Sequence, residues 1–149
     1  MCLLGGLLVG SVALQAKVVV PKILGHNMVL QRNKPVPVWG TADKGEKVTV
    51  SFAGQTKTTL ANDSGRWVVK LSPMKASEVG REMVISGKEN SITLKNILVG
   101  EVWFCSGQSN MEYTLRKNSK LQNTVRGTHP AEDDLLTASN TNIRIFLVR

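Results

Sequence analysis

Lys47-Val48-Thr49-Val50-Ser51-Phe52-Ala53-Gly54-Gln55-Thr56-Lys57-Thr58-Thr59-Leu60 carries the structural decision in this chain. Val48, Val50 and Phe52 alternate with Lys47, Thr49 and Ser51, the period-2 signature of a strand with one buried face. Ala53-Gly54 reads as a tight turn, and Thr56, Thr58 and Leu60 resume the alternation on the return strand. Outward from this hairpin, Asn62-Asp63-Ser64-Gly65 is a second turn cluster. Trp67, Val69 and Leu71 then alternate with Arg66, Val68 and Lys70. Two shorter strands are expected around Met83 to Ser86 and Ser91 to Leu94, with Gly87 to Asn90 between them. Short strands at regular spacing with glycine-rich turns argue for a β-sandwich of jelly-roll type over residues 17–96. No long repeat or low-complexity tract interrupts it.

Trp39 and Trp67 invite a sugar-platform reading, because aromatic faces hold sugars. Both stand beside apolar residues in alternating strands, which favours core packing.

The pattern changes near Ile97. Ile97 to Cys105 is almost continuously apolar, as expected for a strand covered on both faces. Ala131-Glu132-Asp133-Asp134-Leu135-Leu136 reads as a short helix after Pro130. Asn142 to Val148 reads as a further strand. Strand, helix, strand is the opening of an α/β domain with a parallel sheet, here over residues 97–149.

The formal net charge is +8, from 19 basic and 11 acidic residues in 149. Lys44, Lys47, Lys57, Lys70, Lys88 and Lys95 spread over several expected strands, no run of five basic residues occurs, and aromatics are few. This is a solvated β surface rather than a nucleic-acid site. Residues 1–16 are apolar and uncharged, too short to span a bilayer comfortably, and end in small residues before Lys17. They read as a signal-peptide core, the alternative being a buried N-terminal strand or helix. The signal reading implies a secreted or periplasmic protein with no stable membrane insertion after cleavage. It also leaves Cys105 as the one remaining cysteine, so no intramolecular disulfide is expected.

The chemistry concentrates in Gly100-Glu101-Val102-Trp103-Phe104-Cys105-Ser106-Gly107-Gln108-Ser109-Asn110-Met111. It reads as a buried strand, a glycine turn and a helix start. Ser109 follows the turn, where a nucleophile stands exposed with helix-start N–H groups beside it. The G-x-S-x-G elbow does not fit, because Met111 fills its last position. Cys105, at the end of the apolar run, reads as a small buried residue rather than a catalytic thiol. His26, in Gly25-His26-Asn27, reads as a turn residue. His129 precedes Asp133 and Asp134 and reads as a surface-loop histidine rather than a base. No metal motif and no phosphate-binding glycine loop are present.

The Gly100–Met111 run resembles the first sequence block of the SGNH hydrolases, and within them the sialate O-acetylesterase branch. Pro21-Lys22-Ile23-Leu24-Gly25-His26-Asn27-Met28-Val29-Leu30-Gln31-Arg32 resembles the start of the same family. So do Pro35-Val36-Pro37-Val38-Trp39-Gly40 and Gly45-Glu46-Lys47-Val48-Thr49-Val50, in the same order. The resemblance covers about residues 17–149. It implies a carbohydrate esterase that hydrolyses O-acetyl esters on sialic acid or related sugars, without a cofactor or metal. Ser109 is then the nucleophile, with its backbone N–H in the oxyanion hole. A glycine N–H and an asparagine side chain from later blocks complete the hole, and a histidine in a C-terminal Asp-x-x-His block is the base. None of those blocks occurs in these residues, and the family's chains are much longer. The expectation is therefore an N-terminal portion, inactive alone. An acetylxylan-type esterase of the same fold stays open. So does a non-catalytic glycan-binding sandwich module. Oligomeric state is not readable.

Overall fold

The computed structural model describes residues 17–112 and 137–147, and the fold among them is mostly β. The strands are β1 (Val29–Gln31), β2 (Val36–Thr41), β3 (Lys47–Phe52), β4 (Gln55–Leu60), β5 (Arg66–Leu71), β6 (Ser77–Ser86) and β7 (Ser91–Gly100). Five form a mixed sheet in the order β1-β7-β6-β3-β4, and β2 and β5 form a separate two-stranded sheet.

The β3–β4 hairpin is built as its sequence dictates. Phe52 faces Gln55 across a two-residue loop, and Ala53 and Gly54 both have positive φ, 49° and 77°. Two positive φ values give the loop the mirror-image twist that antiparallel strands need. On the outer face, Thr49 pairs with Thr58 and Ser51 with Thr56, hydroxyl to hydroxyl at 3.2 and 3.1 Å. The inner face sends Val48, Val50 and Phe52 into the core.

The small sheet faces the large one. Val36 and Val38 of β2 and Trp67, Val69 and Leu71 of β5 join Val50, Phe52, Met83, Ile85 and Ile97 in one apolar cluster. At the β4 edge the two sheets are joined by side-chain bonds in place of a ladder. Gln55 Oε1 accepts from the Ser72 N–H at 2.7 Å, and Gln55 Nε2 donates to the Ser72 carbonyl at 3.3 Å. The segment before β1 ties both sheets together. Val19 and Thr41 exchange backbone hydrogen bonds at 2.9 Å, and the Asn90 side chain brackets the Val18 backbone at 2.8 and 3.0 Å. Gly40 lies under this crossing. A Cβ there would stand 2.8 Å from the Trp67 ring and closer still to the Val19 carbonyl oxygen.

The structure departs from the sequence reading in four places. A jelly roll needs eight strands in two Greek keys, and the described residues hold seven in a five-plus-two arrangement. β6 and β7 are each ten residues, longer than the short strands expected. β7 runs through residues 96 and 97 to Gly100 with Ile97, Leu98 and Val99 buried, so the sandwich core reaches past residue 96. The apolar run does not continue as a buried strand to Cys105. Val102, Trp103 and Phe104 are 52, 83 and 90% exposed. The cause is pairing: Val99 and Gly100 are matched by Ser77 of β6 and Gln31 of β1, and neither neighbour continues alongside the chain beyond them.

Past Gly100 the described residues contain a 3₁₀ turn, Ser109–Glu112, and no strand. The α/β opening expected over 97–149 is therefore not seen among them. Residues 143–147 form no strand, with Ile145 91% exposed, so the strand expected from Asn142 is not found among the described residues. The signal segment 1–16, the helix expected at 131–136, and His129, Asp133 and Asp134 lie outside the described residues.

Candidate functional site

Ser109 opens the 3₁₀ turn and is exposed. The turn closes through the Met111 N–H donating to the Gln108 carbonyl at 2.9 Å. Gly107 precedes it, and a Cβ there would meet Met111 Cγ at 2.8 Å. The small residue lets Met111 fold back over the turn.

The chain reaches this turn from the β1–β7 pair. These strands are parallel, with Val29 opposite Leu98, Leu30 opposite Val99 and Gln31 opposite Gly100. One residue further, the Arg32 N–H donates to the Gly100 carbonyl at 2.8 Å. Then side chains take over. Gln31 Oε1 accepts from the Val102 N–H at 2.9 Å, and Gln31 Nε2 donates to Glu101 Oε2 at 2.9 Å. Arg32 Nε pairs with Glu101 Oε1 at 2.7 Å. The Gln31 hydrogen bond holds the Glu101 carboxyl below its ordinary pKa; desolvation opposes it, and the Arg32 charge acts in the same direction as Gln31.

The later segment is tied to the same strands. Arg144 Nη1 donates to the Met28 carbonyl at 3.4 Å and to the Asn96 carbonyl, and Nη2 donates to Asn96 Oδ1 at 3.2 Å. Asn96 has φ 56° and its side-chain amide donates to Asn27 Oδ1 at 2.8 Å.

His26 is a structural acceptor: its Nδ1 takes the Lys95 N–H at 3.0 Å. That accords with its reading as a turn residue. Cys105 is exposed, not buried as expected, because the segment after Gly100 is not covered by a described residue. The tryptophans separate. Trp67 is 3% exposed and belongs to the core, whereas Trp39 is 39% exposed. The register explains this: Val36 and Val38 of β2 point inward, so Pro37 and Trp39 point outward. Trp39 lines a surface groove with Val19, Pro21, Arg66 and Val68, and Ser109 takes no part in it. No group of histidine, cysteine or carboxylate side chains suited to a metal ion occurs among the described residues. No described helix is long and apolar enough to cross a membrane.

Sequence reasoning missed the Gln31–Arg32–Glu101 clamp and Arg144. The clamp's partners are about 70 positions apart and carry no local signature. A signal existed, because both ends fall inside the two runs that carry the family resemblance.

The fold has a counterpart among solved carbohydrate acetylesterases. A carbohydrate acetylesterase from Xanthomonas citri superposes with a TM-score of 0.63 at 34% identity, over 66% of this chain and 22% of that one. The chain is also a distant homologue of the sialate O-acetylesterases over part of their length. It is 32% identical to the Mus musculus sialate O-acetylesterase over 135 residues, 84% of this chain and 23% of that protein. It is 33% identical to the Homo sapiens enzyme over 102 residues, 62% of this chain and 20% of that protein. The chain thus spans about a fifth to a quarter of the curated relatives it matches. No protein-family model matches it.

Proposed function

We propose that this chain is the sandwich and nucleophile-bearing part of a secreted or periplasmic carbohydrate O-acetylesterase, acting on acetylated sialic acid or a related acetylated sugar. The observation that carries the reading is Ser109 exposed at the start of a tight turn two residues after Gly107, in a chain homologous to sialate O-acetylesterases. Ser109 Oγ attacks the acetyl carbonyl carbon and the sugar oxygen leaves with a proton, giving an acetyl-enzyme. Water then attacks that ester and releases acetate and free Ser109. Both steps need a base and oxyanion donors. His26 is spent on the Lys95 N–H, so the described residues supply no free imidazole nitrogen other than its Nε2. The base is expected from a histidine elsewhere in the complete gene product, and these 149 residues alone are expected to be inactive. No cofactor or metal is required by this chemistry.

The outward Trp39 is the one observation that favours the rival reading, a glycan-contacting module without catalysis. One assay separates the two. In the complete gene product, Ser109→Ala should lower aryl-acetate turnover by several orders of magnitude with folding intact. Turnover within a few-fold of wild type would remove Ser109 from the mechanism and leave the binding reading standing.

A further inference from the structure

We propose that Glu101, held by Gln31 and Arg32, is a positioning residue that sets the course of the segment carrying Ser109, with Arg144 as a second anchor on the same strand pair. The inference rests on the reading of Ser109 as nucleophile. Main-chain pairing ends where Gly100 meets Gln31 and Arg32, and no ladder holds the chain from there to the 3₁₀ turn. The clamp sits on the first two residues beyond that point. Both ends of the Gln31 amide are used, one on the Glu101 carboxylate and one on the Val102 N–H. A planar amide bonded at both ends fixes direction as well as distance. Arg32 holds the second carboxylate oxygen, so Glu101 has one defined orientation.

Arg144 gives an independent reason to place the seat of the site on β1 and β7. It lies 35 positions after Ser109, yet it binds the Asn96 carbonyl on β7 and the carbonyl of Met28, the residue just before β1. The chain on either side of Ser109 is therefore pinned to one edge of the sandwich.

An exposed ion pair contributes little to folding. A small displacement of a nucleophile, by contrast, costs rate steeply. A positioning role thus predicts a loss of kcat without a matching loss of stability. In the complete gene product, Glu101→Ala should lower kcat on an aryl acetate by roughly tenfold, with KM little changed and the melting temperature nearly unmoved. Gln31→Glu should do the same, because a carboxylate there faces Glu101. The reciprocal exchange, Gln31→Glu with Glu101→Gln, restores one donor and one acceptor across the gap and should recover most of the lost kcat. Wild-type kcat in Glu101→Ala, or no recovery in the exchange, overturns the proposal when Ser109→Ala is inactive. An active Ser109→Ala overturns the nucleophile reading itself and this inference with it, so the two failures are told apart.

Discussion

Ala53 is held at φ 49°, a region that costs an ordinary L-residue about 1 kcal/mol. Asparagine tolerates it best ahead of a glycine in a two-residue hairpin loop. Ala53→Asn should therefore stabilise the protein by about 0.5–1 kcal/mol. The check is a rise in the urea midpoint at unchanged slope, and an unchanged or lower midpoint would mean that the packing of Ala53 against the core outweighs the backbone term. At this scale much was legible. The turn at Ala53-Gly54, the inward set Val48, Val50 and Phe52, and the turn role of His26 all follow from local spacing. Trp39 was not legible, because the spacing says that alternate residues face opposite ways without saying which face of a two-sided sandwich is covered. Glu101 was not legible either, since its partners are set by the parallel pairing of β1 with β7.

Elements were read well where a hairpin defined both strands, as in β3 with β4. They were read poorly where one strand serves two neighbours. β7 pairs antiparallel with β6 and parallel with β1, and its last residues are buried because β1 lies beside them. From sequence, the apolar run from Ile97 looks like the opening strand of a new unit. In the structure its first half completes the old one and its second half is exposed. Burying Ile97, Leu98 and Val99 contributes about 1.5–3 kcal/mol each, a large share of the roughly 5–15 kcal/mol of a typical domain. A chain of residues 17–102 should accordingly unfold cooperatively, whereas one of residues 17–96 loses these three side chains and the partner of β1. Equal thermal transitions by circular dichroism for the two would show that β7 beyond Asn96 contributes nothing to the core.

Across the whole molecule, two sheets enclose one apolar core, and the chain passes to Ser109 from the β1 edge, where β1 lies beside β7. Gln31, Arg32 and Glu101 fasten the way out, and Arg144 fastens a later segment to the same place. Exposed Trp103, Phe104, Ile143 and Ile145 lie on these segments. An apolar surface of this kind accords with a further part of the protein packing there. On the proposed function, this edge delivers a catalytic serine. The most direct test treats the complete gene product with an alkyl fluorophosphonate, which phosphonylates an activated serine, and locates the adduct by peptide mass spectrometry. One adduct is expected, on Ser109, formed in step with the loss of aryl-acetate hydrolysis. Loss of hydrolysis with the adduct on another serine and Ser109 unmodified would contradict it.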